Sequence, residues 1–230
     1  MPDKESFTEE EKKIMSILRS NFRLFVAKDE TVEGKIGAYA KGLAGVPEDV
    51  VRQAMASVAL EQEYFPSFAA LYKACQSVAF ESVAKGLGIQ ILDEYDAWKV
   101  CAEWVSTHKG IAKNPLVEIA IRKFGRNRLD YYSEKDLRFC AKDFAEAYRY
   151  VLGKCMKFAL DKITGKGELE REYDFFAVKQ EIDAEEKADA ACKEEEFRAE
   201  IEEAKQGKRK RTAAERKALR EELAKLRSKA

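Results

Sequence analysis

The chain has 230 residues and a mass of 26.2 kDa, with 42 basic side chains against 42 acidic ones. At roughly 150 residues per domain this allows one or two compact units and a tail. Zero net charge excludes a uniformly basic nucleic-acid binder but leaves room for a local patch. The 4 prolines and 12 glycines argue against an all-β fold, which spends these residues on frequent turns.

Thr8-Glu9-Glu10-Glu11 matches a capping box, a hydroxyl followed three residues later by a carboxylate. Behind it Ile14, Ile17, Leu18, Phe22 and Phe25 share one helical face. A second helix carries Val32, Ile36, Tyr39, Ala40 and Leu43, and Gly42 and Gly45 close it. Pro47 suits the first turn of a third helix, with Val50, Val51, Ala54 and Val58 inward. Tyr64-Phe65-Pro66-Ser67 then breaks the chain, because the residue before a proline leaves the α region. A fourth helix follows with Phe68, Leu71, Tyr72, Cys75 and Val78. These four form a helical unit over residues 8–82, and residues 84–92 read as a linker.

The periodicity resumes at Asp93, where Tyr95, Trp98, Cys101 and Val105 share a face. Trp98 reads as core, and Trp104, six residues on, as an exposed partner contact. Pro115 opens a helix with Leu116, Ile119, Ala120 and Phe124, closed by Gly125. Ser133 with Asp136 repeats the capping logic ahead of a long helix with Leu137, Cys140, Phe144, Ala147, Tyr148, Val151, Cys155 and Ala159 inward. This is a second helical unit over residues 93–162. Beyond Gly167 the composition changes. Residues 168–203 hold 15 acidic and 5 basic side chains, a net of −10, and residues 204–230 hold 3 and 11, a net of +8. Apolar residues thin to Phe175, Phe176, Ile182, Phe197 and Ile201, then Leu219, Leu223 and Leu226. The expected fold is therefore all-α: two small helical bundles, then a long, highly charged, helical or partly disordered C-terminal tail over 168–230, with a break near Gly207.

The chain offers little for catalysis. Gly165-Lys166-Gly167 lacks both the earlier glycine and the following hydroxyl of a phosphate-cradling loop. His108 is the one imidazole, placed in a Thr-His-Lys-Gly loop. Cys75, Cys101, Cys140, Cys155 and Cys192 are scattered, form no CxxC pair and read as reduced thiols rather than zinc ligands. Glu194, Glu195 and Glu196, beside Lys193 and Arg198, read as a solvated helix face. The expectation is no enzyme, no cofactor and no metal. Two basic stretches are candidates for nucleic-acid contact: Lys208-Arg209-Lys210-Arg211, and Arg122, Lys123, Arg126 and Arg128 beside Tyr131 and Tyr132. Partner-binding candidates are Tyr64, Phe65, Trp104, Phe197 and Ile201. The acidic start is unlike a secretory leader and no apolar run approaches the roughly 18 residues of a membrane span. A cytoplasmic protein with no membrane partner is expected.

The order Tyr39, Leu43, Val50-Val51, Ala54 and Tyr64-Phe65-Pro66-Ser67-Phe68 resembles the N-terminal domain of the phage replicative helicase loader/inhibitor family. The second unit resembles a segment common in phage replication proteins, through Asp96-Ala97-Trp98, Pro115-Leu116-Val117, Gly125, Phe144 and Tyr148. The likeness covers about residues 15–155. It implies a helical protein without ATPase activity, in the cytoplasm of a bacterial host of a phage or prophage. Such a protein binds the replicative hexameric DNA helicase, holds it inactive and delivers it to a replication initiator protein, with its folded and C-terminal parts serving different partners. The alternative from the residues alone is a DNA-binding phage protein acting through the basic tail and loop. A capsid-assembly scaffold and an enzyme of unrecognised type are further readings.

Overall fold

The computed structural model describes residues 7–25, 32–107, 110–129, 134–167 and 169–205, excluding the side chains of 32, 33, 128, 134–138 and 203–205. These residues are helical, with no strand among them. None of the described helices is long and apolar enough to cross a membrane. His108, Tyr131, Tyr132, Ser133, Lys208, Arg209, Lys210, Arg211, Leu219, Leu223 and Leu226 lie outside the described residues, as do the side chains of Val32, Arg128, Asp136 and Leu137.

Helix α1 (Glu9–Asn21) starts at the expected capping box. Thr8 Oγ1 accepts from the Glu11 amide at 3.2 Å, and the Thr8 amide donates to Glu11 Oε2 at 2.7 Å. Ile14, Ile17 and Leu18 are buried, but the helix stops at Asn21. Phe22 and Phe25 therefore belong to a 3₁₀ turn (Phe22–Leu24) and its exit, rather than to a continued α1 face. Helices α2 (Val32–Leu43) and α3 (Glu48–Glu61) follow, the latter with Pro47 at its N-cap rather than within its first turn. Val50, Val51, Ala54, Met55 and Val58 of α3 point inward. Ser67 caps α4 (Phe68–Gly86), its hydroxyl accepting from the Ala70 amide at 3.2 Å. Gly42 lets α2 pass close to α4, since a Cβ there would lie 2.6 Å from the Phe68 ring. Gly42→Ala is expected to lower stability by about 1–3 kcal/mol through overpacking, read as a lowered midpoint in urea unfolding.

Residues 84–86 continue α4, so the stretch read as a linker begins inside a helix. Gly88, at φ +65°, ends it in a Schellman arrangement. The Ile89 amide reaches Ala84 O at 2.8 Å and the Gly88 amide reaches Lys85 O at 3.1 Å, while Ile89 is buried. The local pattern of two glycines hid this, because it is shared by linkers and helix ends.

Helices α5 (Glu94–Thr107), α6 (Pro115–Phe124) and α7 (Arg126–Leu129) lead to α8 (Glu134–Thr164) and α9 (Phe175–Lys205). In α5 the buried stripe is Ala97, Cys101, Trp104 and Val105, with Trp98 at its edge and Tyr95 exposed. The stripe is thus rotated by about one residue from expectation. Trp104 is inside the protein, 6% exposed, because its indole Nε1 finds the Gly110 carbonyl at 3.2 Å.

Two cores result. Ile14, Ile17, Leu18, Leu43, Val51, Met55, Leu71 and Cys75 belong to the first, and Phe80, Leu116, Ile119, Phe144, Tyr148, Val151 and Cys155 to the second. Helix α4 serves both, Leu71 to Ala79 in one and Phe80 and Ala84 in the other, and Leu160 of α8 returns to the first. Each such fully buried side chain contributes about 1.5–3 kcal/mol. The stretch 169–182 is not a solvated tail: Tyr173, Phe175, Val178 and Ile182 are buried in the second core.

Candidate partner surface

Phe65 sits at the middle of an aromatic cluster. Its ring lies 5.5 Å from Phe22, 5.6 Å from Phe25 and 5.8 Å from Tyr39, measured between centroids. Tyr39 also meets Phe68 at 5.4 Å and donates its hydroxyl hydrogen bond to the Pro66 carbonyl at 3.2 Å. Pro66 is buried and Phe65 half-buried. Aromatic pairs at this spacing hold one another beyond their buried area. The turn at 64–67 is therefore anchored to α2 and to the 3₁₀ turn.

Large apolar side chains stand exposed on the segments next to this anchor in sequence. Leu24 of the 3₁₀ turn is 54% exposed, Leu60 in the last turn of α3 is 90%, and Tyr64 is 50%. A single exposed leucine needs no explanation, whereas a contiguous apolar patch marks a contact surface. Tyr64 and Phe65 were legible as candidates from the aromatic-proline turn. Leu24 and Leu60 were not, because nothing local distinguishes an exposed leucine from a buried one.

The other candidates are placed differently. Trp104 is not an open contact. It lies under Arg126, whose guanidinium carbon is 5.0 Å from the indole centroid. Phe197 is buried and Ile201 half-buried on α9.

Of the basic stretch read as a nucleic-acid contact, Arg122, Lys123 and Arg126 are engaged within the chain. Glu118 of α6 is fully buried and accepts from Arg122 Nε at 2.8 Å and from the Ala112 amide at 2.9 Å. Arg126 Nη2 lies 3.3 Å from Glu118 Oε1 and donates to the Gly110 carbonyl at 2.9 Å. Arg122 Nη2 also donates to Glu181 of α9 at 2.6 Å, and Lys123 lies 3.7 Å from Glu172. Glu185 of α9 accepts from the Ile111 amide at 2.9 Å. Gly110, at φ +67°, leaves room for that carboxylate, which a Cβ would meet at 2.2 Å. The acidic stretch beyond Gly167 thus acts as a strap that neutralises cations of the second unit.

The strap continues along α8. Lys154 Nζ donates to both carboxylate oxygens of Glu170, at 2.9 and 3.0 Å, and holds its carboxyl below the usual carboxylate range. A carboxyl depressed in the fold contributes stability above its unfolded pKa and loses it as pH falls through the lower folded value. Acidification from pH 6 to 3 is therefore expected to loosen the strap around Glu170, read as a fall in amide protection factors there relative to those of α8. Burial pushes the thiols of Cys75, Cys101 and Cys155 up to about 12, which keeps them protonated at neutral pH. Among the described residues no group of three or more His, Cys, Asp or Glu side chains is placed to hold a metal ion.

No family model, curated protein or solved structure matches this chain.

Proposed function

We propose that this chain is a non-enzymatic adaptor of phage DNA replication that docks on the replicative hexameric helicase through the surface around Leu24, Leu60 and Tyr64. The observation that supports it is the exposure of these three apolar side chains, on segments that adjoin the locked aromatic anchor at Phe65 in sequence. Tyr39, Phe65 and Phe68, which carry the resemblance to helicase loaders and inhibitors, are among the residues that build this anchor. The resemblance supplies the partner class, and the surface supplies a place for it. Delivery to a replication initiator protein, in the cytoplasm of a bacterial host, belongs to the same reading.

A rigid apolar patch suits this task. Ring packing sets the Phe65 turn in place before binding, so little ordering entropy is lost on contact. Leu60 and Tyr64 offer apolar area at the centre of such an interface, where hot spots concentrate. Mixing the full-length chain with the helicase hexamer of a candidate host and measuring mass by light scattering tests the proposal. A complex is expected, weakened at least tenfold by Leu60→Asp with Tyr64→Asp. No complex, with or without ATP, overturns it.

A further inference from the structure

Helix α8 holds a glycine that its packing does not use. Gly153 lies in the middle of the helix, where glycine is among the poorest formers. Its φ is not positive, and a Cβ there would meet open space rather than a neighbour. Neither turn geometry nor close approach therefore accounts for it. Its effect is to leave bare backbone beside Tyr150, three residues earlier on the same helical face. Tyr150 is 50% exposed.

Donors gather at this ring. Lys123 of α6 and Lys154 of α8 place their ammonium groups 5.9 and 5.8 Å from the Tyr150 centroid. The same groups lie 5.8 and 5.4 Å from the centroid of Tyr173. The two rings meet edge-on, 6.3 Å apart. Tyr173 is 1% exposed, and its buried hydroxyl has no hydrogen-bond partner among the described residues. Burial, with the nearby Tyr150 and Glu172 side chains, pushes this phenol above its ordinary range, so it stays a donor at neutral pH. A buried donor left unpaired is unfavourable. The local charge has the sign an anion needs: Lys123, Lys154 and Lys157 share two carboxylates, those of Glu170 and Glu172. Glu170 is bonded to Lys154, whereas Glu172 stands 3.7 Å from Lys123, beyond hydrogen-bond length. That contact orients Lys123 without engaging its N–H donors.

We infer that this corner of the second unit binds one nucleotide unit, free or within a single strand, with its phosphate between Lys123 and Lys154 and its base on the Tyr150 ring beside Gly153. A phosphate oxygen placed there accepts from the Tyr173 hydroxyl. Basic side chains with an aromatic platform are the combination that holds single strands without reading their sequence. The site is separate from the Leu24, Leu60 and Tyr64 surface, and it stands whether or not the helicase reading holds.

Fluorescence anisotropy of the full-length chain with a labelled oligothymidylate of about ten nucleotides tests it. Binding is expected, with Tyr150→Ala weakening it about tenfold and Tyr150→Phe retaining it. Gly153→Leu is the decisive variant. Leucine is a strong helix former at this exposed position and is expected to raise the thermal midpoint. Its side chain fills the space beside Tyr150 and is expected to weaken binding about tenfold, the contribution of one stacked base. Weaker binding by a more stable protein separates occlusion from damage to the fold. Competitors distinguish the sources. Thymidine monophosphate that displaces the probe as well per nucleotide as unlabelled oligomer assigns a free nucleotide, and displacement by the oligomer alone assigns a single strand. No binding, equal binding by the parent and by Gly153→Leu, or displacement by inorganic phosphate as efficient as by the nucleotide overturns the inference.

Discussion

Replacing Phe80 with alanine is expected to lower the stability of the whole chain by about 3–5 kcal/mol. The side chain is fully buried, and its ring meets Phe175 edge-on at 5.4 Å. The loss combines the transfer free energy of the ring with a cavity that helices on both sides cannot fully collapse. The position makes the effect diagnostic. Phe80 lies in the second core, but one and five residues earlier the same helix places Ala79 and Cys75 in the first. A continuous α4 carries the damage across. Urea unfolding followed by tryptophan fluorescence reports the second unit, since Trp98 and Trp104 both lie there. Circular dichroism reports all the helices. The two curves are expected to shift together. A fluorescence transition that moves alone would show two independently folding units.

Glu118→Ala comes next, with an expected loss of about 2–4 kcal/mol. Removing one partner of a buried ion pair leaves an uncompensated charge, which costs about 3–5 kcal/mol when both partners are buried. Here Arg122 and Arg126 keep 42% and 39% of their side-chain surface, so water recovers part of the loss. The Ala112 amide has no such recourse. Glu118→Gln keeps an acceptor for that amide and is expected to lose only about 1–2 kcal/mol. Ordering of the two variants by denaturation midpoint checks this. Equal losses would show that the arginines, and not the amide, are what Glu118 serves.

Local features were legible in the sequence and distant ones were not. The capping box at Thr8 and the inward face of α3 follow from neighbours three and four residues apart, and both stand as expected. The sharing of α4 and α8 between two cores was hidden, because helical periodicity names a buried face without saying what covers it. The strap was hidden for another reason. Its 15 acidic residues mask five buried apolar positions, and partners such as Lys154 for Glu170 or Arg122 for Glu181 are 16 and 59 residues away. The basic loop at 122–126 looked available for the same reason, since its counter-charges come from α9 as well as from Glu118 of its own helix. At the candidate surface the Tyr64-Phe65-Pro66 turn was legible as a break with aromatic character. That Leu24 and Leu60 stand exposed depends on how α1, α3 and α4 pack.

Amide exchange of the full-length chain, with and without the hexameric helicase, tests the docking surface most directly. The account predicts slowed exchange over residues 58–65 and 22–25, with α5 and α6 unchanged. Protection confined to α5, α6 or α9, with the Leu60 to Phe65 segment exchanging as in the free chain, would contradict it.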